Sequence, residues 1–180
     1  MSSSKTLFLD RDGVINRRIV DGYVTKWSEF EFLPGVLDAL KIFPDFFHHI
    51  IIVTNQRGIA RGLYTLEDLD RIHTHMLDEI RNAGGRVDAV LFCPHMGDEP
   101  GCDCRKPKTG LANQAVERFP DIDLKHAVMA GDSSGDMGFG RGIGALNIGI
   151  GDPGLANADH HFQDLLSFAD ALKTGNFMAD

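Results

Sequence analysis

Short apolar runs separated by amphipathic stretches set the rhythm of this chain. Thr6–Leu9, His49–Val53, Val87–Phe92, Ala127–Ala130 and Leu146–Ile150 are each brief, mostly apolar, and bounded by polar residues or glycine. Such runs fit strands buried on both faces, as in a parallel sheet. Between them the apolar spacing changes to three and four. Val36–Phe43, behind Pro34-Gly35, sets Val36, Leu37, Leu40 and Phe43 on one side, and Leu66–Asn82 does the same with Leu66, Leu69, Ile72, Met76, Leu77 and Ile80. Thr65 is placed to cap the second of these helices and Gly84-Gly85 to end it. Gly110–Phe119 and Asp164–Lys173 read as two further helices. The alternation predicts an α/β fold, a Rossmann-like, doubly wound, mainly parallel sheet with helices on both faces. Ligands of such sheets bind beyond the carboxyl ends of the strands.

Composition narrows the partners. With 180 residues, 43% hydrophobic and 24% charged, and no repeat or long linker, the chain reads as a single globular domain over 1–180. A net charge of -8 disfavours nucleic acid, whose binders carry basic surface that displaces counterions; a small phosphorylated metabolite fits better. Leu7-Phe8-Leu9, cut off by Asp10, is too short for a signal-peptide core. No stretch approaches the roughly 20 apolar residues that span a bilayer. The expectation is a cytoplasmic protein with no membrane partner, acting as a monomer.

Polar chemistry gathers where the apolar runs stop. The first strand meets Asp10-Arg11-Asp12-Gly13, and two acids two apart on an extended backbone lean to one side. Their repulsion calls for a shared proton or a cation, and magnesium favours carboxylate oxygen together with phosphate. The second strand ends at Thr54-Asn55-Gln56, with a hydroxyl suited to a phosphoryl oxygen. Arg105-Lys106-Pro107 offers an ammonium and a guanidinium, and the fourth strand ends at Gly131-Asp132-Ser133-Ser134-Gly135-Asp136. Alone, each segment also fits a blander role: a solvated turn, a capping threonine, an exposed basic pair. Together they describe a phosphoryl-transfer site.

All three cysteines fall within one loop, as Cys93-Pro94-His95 and Cys102-Asp103-Cys104. An odd number crowded together is unlike a secreted disulfide framework. Three thiolates and one imidazole make a closed tetrahedral set, so the loop 93–104 is expected to hold a structural zinc. The alternative is buried free thiols beside a chance histidine, but a loop containing Gly97, Pro100 and Gly101 cannot pack a core by itself. The pairs His48-His49 and His160-His161 read as structural or solvated, His73 and His75 as a poor metal pair, and Trp27 as packing.

The ordered set Asp10-x-Asp12-Gly13, Thr54, Lys106 and Gly131-Asp132-x-x-x-Asp136 resembles the four motifs of haloacid dehalogenase-superfamily phosphatases, across Leu7 to about Ile150. That resemblance implies Asp10 as nucleophile and Asp12 as the acid and base. It implies magnesium held by Asp10, the Asp12 carbonyl and Asp132, and phosphoryl oxygens met by Thr54 and Lys106. Asp136 would orient Lys106 or a metal-bound water. The cysteine loop, Asp21-Gly22-Tyr23-Val24 and Thr54-Asn55-Gln56-Arg57-Gly58-Ile59-Ala60-Arg61-Gly62 are similar to the small branch acting on heptose bisphosphates and histidinol phosphate. By that match Tyr23, Asn55, Gln56 and Arg105 are substrate contacts. The activity implied is removal of the 7-phosphate of a heptose 1,7-bisphosphate, with histidinol phosphate hydrolysis or a non-catalytic zinc-stabilised module as alternatives. The intervals Asp12–Thr54 and Thr54–Lys106 leave no room for a large cap domain.

Overall fold

The computed structural model describes residues 5–97 and 99–175. Residues 1–4, 98 and 176–180 of the expected domain and zinc loop lie outside the described residues. In chain order the elements are β1 (Thr6–Leu9), α1 (Val36–Ile42), β2 (His49–Asn55), α2 (Leu66–Asn82), β3 (Ala89–Cys93), α3 (Gly110–Arg118), β4 (Ala127–Gly131), α4 (Ser134–Ile143), β5 (Leu146–Ile150), β6 (His160–Phe162) and α5 (Leu165–Lys173). The described strands form one sheet in the order β3-β2-β1-β4-β5-β6, and each neighbouring pair runs parallel. This is the doubly wound fold expected, without a cap domain among the described residues.

Alternation along the strands divides the core in two. Leu7, Leu9, Ile50, Ile52, Val128 and Ala130 meet α1, α2 and α5 on one face, while Phe8, Ile51, Val53 and Met129 meet α3 and α4 on the other. Every strand of the centre is therefore apolar on both sides, which is why the runs show no polar alternation. Thr65 caps α2 as expected: its hydroxyl accepts from the Asp68 N–H at 3.1 Å while Asp68 accepts from the Thr65 N–H at 2.9 Å. Gly84 then leaves the helix with φ +87.

Two elements depart from the sequence reading. β6 is three residues long and exposes both of its histidines. Helix α4 carries Gly135, Gly138, Gly140 and Gly142, each costing about 1 kcal/mol relative to alanine, so its pattern looks unlike a helix. It forms because Ser133 and Asp136 close a capping box and Met137 and Phe139 are fully buried. No helix of the described residues is long and apolar enough to cross a membrane.

Candidate active site

Asp10 follows β1 directly, and its N–H still donates to the Ala130 carbonyl at 3.0 Å. The first acid thus sits between β1 and β4, where the strand order reverses and such sheets open a crevice. Asp12 lies two residues on, while Arg11 between them points inward and is fully buried. Gly13 turns the chain at φ +94, and a Cβ there would come within 2.0 Å of Asp132 Oδ2. Glycine is required at that position for the backbone angle and for the approach of the distant acid.

One carboxylate oxygen from each of Asp10, Asp132 and Asp136 lies within 4.8 Å of the others. The Lys106 ammonium bridges two of them, donating to Asp10 Oδ1 at 2.9 Å, to Asp136 Oδ1 at 2.5 Å and to the Val53 carbonyl at 2.7 Å. Asp136 Oδ2 accepts from the Ser133 hydroxyl at 2.7 Å and from the Asp132 and Ser133 N–H groups. Asp136 is thereby held against the Lys106 ammonium. Burial pushes Asp10 well above the usual carboxylate range, and the Asp136 charge reinforces this against the pull of Lys106. Burial also raises Asp132, opposed by Arg18 and reinforced by Asp136. For Lys106, burial alone would favour the neutral amine, but Asp10 and Asp136 outweigh it and raise its pKa.

Three clustered carboxyl groups face two monovalent cations, Lys106 and Arg18, so with all three ionised the cluster carries excess negative charge. Burial and that charge hold Asp10 and Asp132 toward their protonated forms until a cation arrives. Arg18 Nη2 donates to the Asp12 carbonyl at 2.9 Å and to Asp132 Oδ1 at 2.8 Å, and lies 4.0 Å from Asp10 Oδ2. Those are the three oxygens implied for magnesium, and they already surround a cationic nitrogen. An all-oxygen donor set with surplus negative charge fits a hard divalent cation.

Three neighbours hold the Asp12 carboxylate. Arg11 Nη2 donates to its two oxygens at 2.9 and 3.0 Å, Asn16 Nδ2 to Oδ1 at 3.0 Å, and Gln56 Nε2 to Oδ2 at 2.9 Å. Burial would raise its pKa, but the Arg11 charge and these hydrogen bonds prevail and hold it below the usual range. Behind it, Arg11 Nη1 donates to His73 Nε2 at 3.0 Å. Burial and the Arg11 charge press His73 down to about 3, so its ring is neutral.

A cavity of about 590 Å³ opens over the cluster. Of the residues expected here it is lined by Asp10, Asp12, Tyr23, Thr54, Asn55, Arg105 and Lys106. Gln56 needs correction: expected to touch substrate, it is 1% exposed and absent from the lining. Its amide is occupied instead, accepting from the Tyr64 hydroxyl at 2.5 Å and donating to Asp12 and, at 2.9 Å, to Thr54 Oγ1. Asn55 grips the backbone of Lys106 through both amide atoms, at 3.1 and 3.0 Å. Arg18 and Arg57, to which sequence reasoning gave no contact role, also line the cavity, as does Arg61. Arg57 Nε donates to the Tyr23 hydroxyl at 3.1 Å. Burial raises the Tyr23 pKa, yet Arg57 and Arg61 outweigh it and lower the pKa overall. Tyr64, Asn16 and His73 were also missed. Strand alternation was the available signal for Arg11: it turns the residue between the acids inward, where a guanidinium must find partners.

Cys93 closes β3, and its Sγ lies 3.6 Å from both His95 Nδ1 and Cys102 Sγ. Cys104 Sγ completes the set, 3.3 Å from His95 Nδ1 and 3.7 Å from Cys102 Sγ. These separations exceed a disulfide bond of about 2.05 Å and match the edge of about 3.8 Å expected for sulfurs at about 2.3 Å around a tetrahedral zinc. Burial raises Cys93. It raises Cys104 as well, with Cys93 and Cys102 adding to the effect. Three adjacent thiols cannot all ionise without a cation, and the donor set fits zinc. The loop leads straight into Arg105 and Lys106. Elsewhere, His48 and His49 converge on Asp121, at 3.4 and 2.8 Å, and Trp27 stacks on Phe30 and on His75.

Residues 6–175 match the family described as polynucleotide kinase 3 phosphatase. A protein of Mycobacterium bovis named D-glycero-alpha-D-manno-heptose-1,7-bisphosphate 7-phosphatase is 37% identical over 172 residues, covering 92% of this chain and 90% of that one. A Campylobacter jejuni protein of the same name is 40% identical over 156 residues, covering 87% and 84%. Among solved structures, the D,D-heptose 1,7-bisphosphate phosphatase of B. bronchiseptica, complexed with magnesium and phosphate, superposes with a TM-score of 0.86 at 33% identity, covering 95% of this chain and 99% of that one. With its acids, lysine and threonine assembled at the carboxyl edge of the sheet, the chain belongs to the polynucleotide kinase 3 phosphatase family of haloacid dehalogenase-like phosphatases.

Proposed function

We propose that this phosphatase removes the 7-phosphate of D-glycero-D-manno-heptose 1,7-bisphosphate through an aspartyl phosphate on Asp10. The observation that carries the choice of substrate is the charge around the cavity. Beyond the acids at its floor it presents Arg57, Arg61 and Arg105, and Arg105 Nη1 is buried with no hydrogen-bond partner among the described residues. A substrate bearing a second phosphate answers that surplus. Histidinol phosphate would instead bring an ammonium beside the arginines. The names of the relatives support the same substrate.

In this reading Asp10 attacks phosphorus, the bond from phosphorus to the sugar oxygen breaks, and Asp12 gives that oxygen its proton. Water then surrenders a proton to Asp12 and attacks the aspartyl phosphate, freeing inorganic phosphate and restoring Asp10. Hydrogen bonds from Arg11, Asn16 and Gln56 favour Asp12 as the anion, the form that accepts the proton from water. An arriving phosphate dianion is a like charge that drives Asp12 toward the protonated form needed for the first step. Thr54 and Lys106 meet the equatorial oxygens. Asp10, the Asp12 carbonyl and Asp132 would hold magnesium, which neutralises charge building on the transferring group. Cys93, His95, Cys102 and Cys104 would hold a structural zinc that fixes the approach to Lys106. The chain acts as one cytoplasmic domain, a monomer, on a small metabolite; its charge of -8 argues against a polynucleotide.

The deciding assay is turnover of a panel with magnesium: both anomers of the heptose bisphosphate, histidinol phosphate and a 3′-phosphorylated oligonucleotide. The highest kcat/KM belongs to a heptose bisphosphate on this reading; highest turnover of either other substrate would refute it.

A further inference from the structure

Arg18 holds an unusual position for a residue half exposed to solvent. Its Nη2 meets the Asp12 carbonyl at 2.9 Å and Asp132 Oδ1 at 2.8 Å, with Asp10 Oδ2 at 4.0 Å, so one guanidinium nitrogen sits among oxygens from two strand ends. The segment that carries it is anchored at both ends and loose between. Arg17 donates its N–H to Glu31 at 2.8 Å and pairs with the Glu31 carboxylate, while Val24 is 1% exposed. Between those anchors Val20 is 84% exposed and Asp21 takes a left-handed φ of 54. Tyr23 is tied to Arg57 at the far end of the loop, Val20 stands out in solvent, and the Arg18 contacts are what tie the loop to the acidic cluster.

We propose that Arg18 is a built-in counter-cation that a divalent ion must displace, so that metal entry and release of the 18–23 loop are one event. The proposal rests on the reading of those oxygens as the magnesium ligands. Two positive groups cannot share one small set of oxygens: a cation bound to Asp10, Asp132 and the Asp12 carbonyl repels the guanidinium and takes its acceptors. Arg18 in place offsets part of the negative charge of the metal-free cluster, and it lowers the apparent affinity for magnesium by the fraction of molecules in which it is seated. Once displaced, it lines the same cavity as a free anion-binding group, beside Tyr23 and Arg57.

The test uses calorimetric titration of Mg2+ into the full chain, exchanged into magnesium-free buffer without chelator so that zinc is retained. Arg18→Gln should bind Mg2+ about fivefold more tightly than wild type, the size of effect expected for removing a half-exposed ion pair. Arg61→Gln removes a charge from the same cavity and serves as the comparison; it should change the affinity by less than about twofold. In wild type, Mg2+ should speed hydrogen exchange of backbone amides in 18–23, and in Arg18→Gln those amides should exchange fast with or without the ion. Equal Mg2+ affinity in wild type and Arg18→Gln, with saturable binding in both, would overturn the role of Arg18 and leave the metal site standing. Equal tightening by Arg18→Gln and Arg61→Gln would reduce the effect to long-range charge and overturn it too. No saturable binding in either protein would remove the magnesium reading and the proposal together.

Discussion

Replacing His73 by glutamine should make the protein's stability less sensitive to acid. In the native protein the ring accepts a hydrogen bond from the always-charged Arg11 at 3.0 Å, and burial with that charge takes its pKa from 6.5 to about 3. The unfolded chain binds a proton at His73 as the pH falls through about 6.5, whereas the folded chain does not until about 3. The contribution is therefore fully present above pH 6.5 and lost progressively on the way down. At pH 5 the linkage amounts to about 2 kcal/mol, and any native pKa below about 4 gives the same figure at that pH. The glutamine amide would keep an acceptor for Arg11 without titrating. Urea unfolding followed by circular dichroism at pH 7, 6 and 5 measures the effect. Between pH 7 and 5 wild type should lose about 2 kcal/mol more than His73→Gln, whatever both proteins lose through their zinc ligands. Parallel losses in the two proteins would mean that His73 is not held neutral by Arg11.

Other perturbations reach the site from different directions. Asp10→Asn should cut turnover by about 10³-fold or more while zinc content and the circular dichroism spectrum stay as in wild type. Cys104→Ser should lower bound zinc from about one per chain, measured by mass spectrometry of the metal, and reduce both melting temperature and kcat, because the loop feeds Arg105 and Lys106. Tyr64→Phe leaves the buried Gln56 Oε1 without a donor, so unfolding by urea should show a loss of about 1–3 kcal/mol, with kcat falling as the Gln56 amide loses its orientation. Magnesium affinity should rise with pH through the neutral range, because burial keeps Asp10 and Asp132 protonated to higher pH than ordinary carboxylates and the protonated forms do not bind the ion; titration calorimetry across pH 6 to 8 in paired buffers would record the accompanying proton release.

The central strands were legible because burial on both faces leaves continuous apolar runs such as His49–Val53, and α2 because its threes and fours and its Thr65 cap are local. The acids at strand ends were legible for a topological reason: parallel strands deliver their carboxyl ends to one edge, so Asp10, Thr54, Lys106 and Asp132 had only one place to meet. Helix α4 was hidden because glycine weakens the local signal while tertiary contact demands it; a Cβ on Gly140 would come within 1.8 Å of Asn147 Oδ1. Gln56 was misplaced because alternation beyond a strand end does not say whether a polar side chain faces solvent or a buried carboxylate. Arg18 gave no signal at all, since it lies in irregular chain and the carboxylate that accepts its hydrogen bond, Asp132, is 114 residues away.

Strand order has a further consequence for how such an enzyme can change. The clustered acids hang from the ends of β1 and β4, neighbours at the middle of the sheet, where both faces are covered and backbone hydrogen bonds run to each side. The outer lining of the cavity includes irregular chain, in the 17–24 loop and at Arg105 behind the cysteine loop beyond β3, at the sheet's margin. Lengthening or recharging those margins away from Lys106 alters who is admitted while the acids of the centre stay in place. Descendants of one ancestor could thus inherit an unaltered reaction while exchanging sugars for amino alcohols or nucleic acid ends.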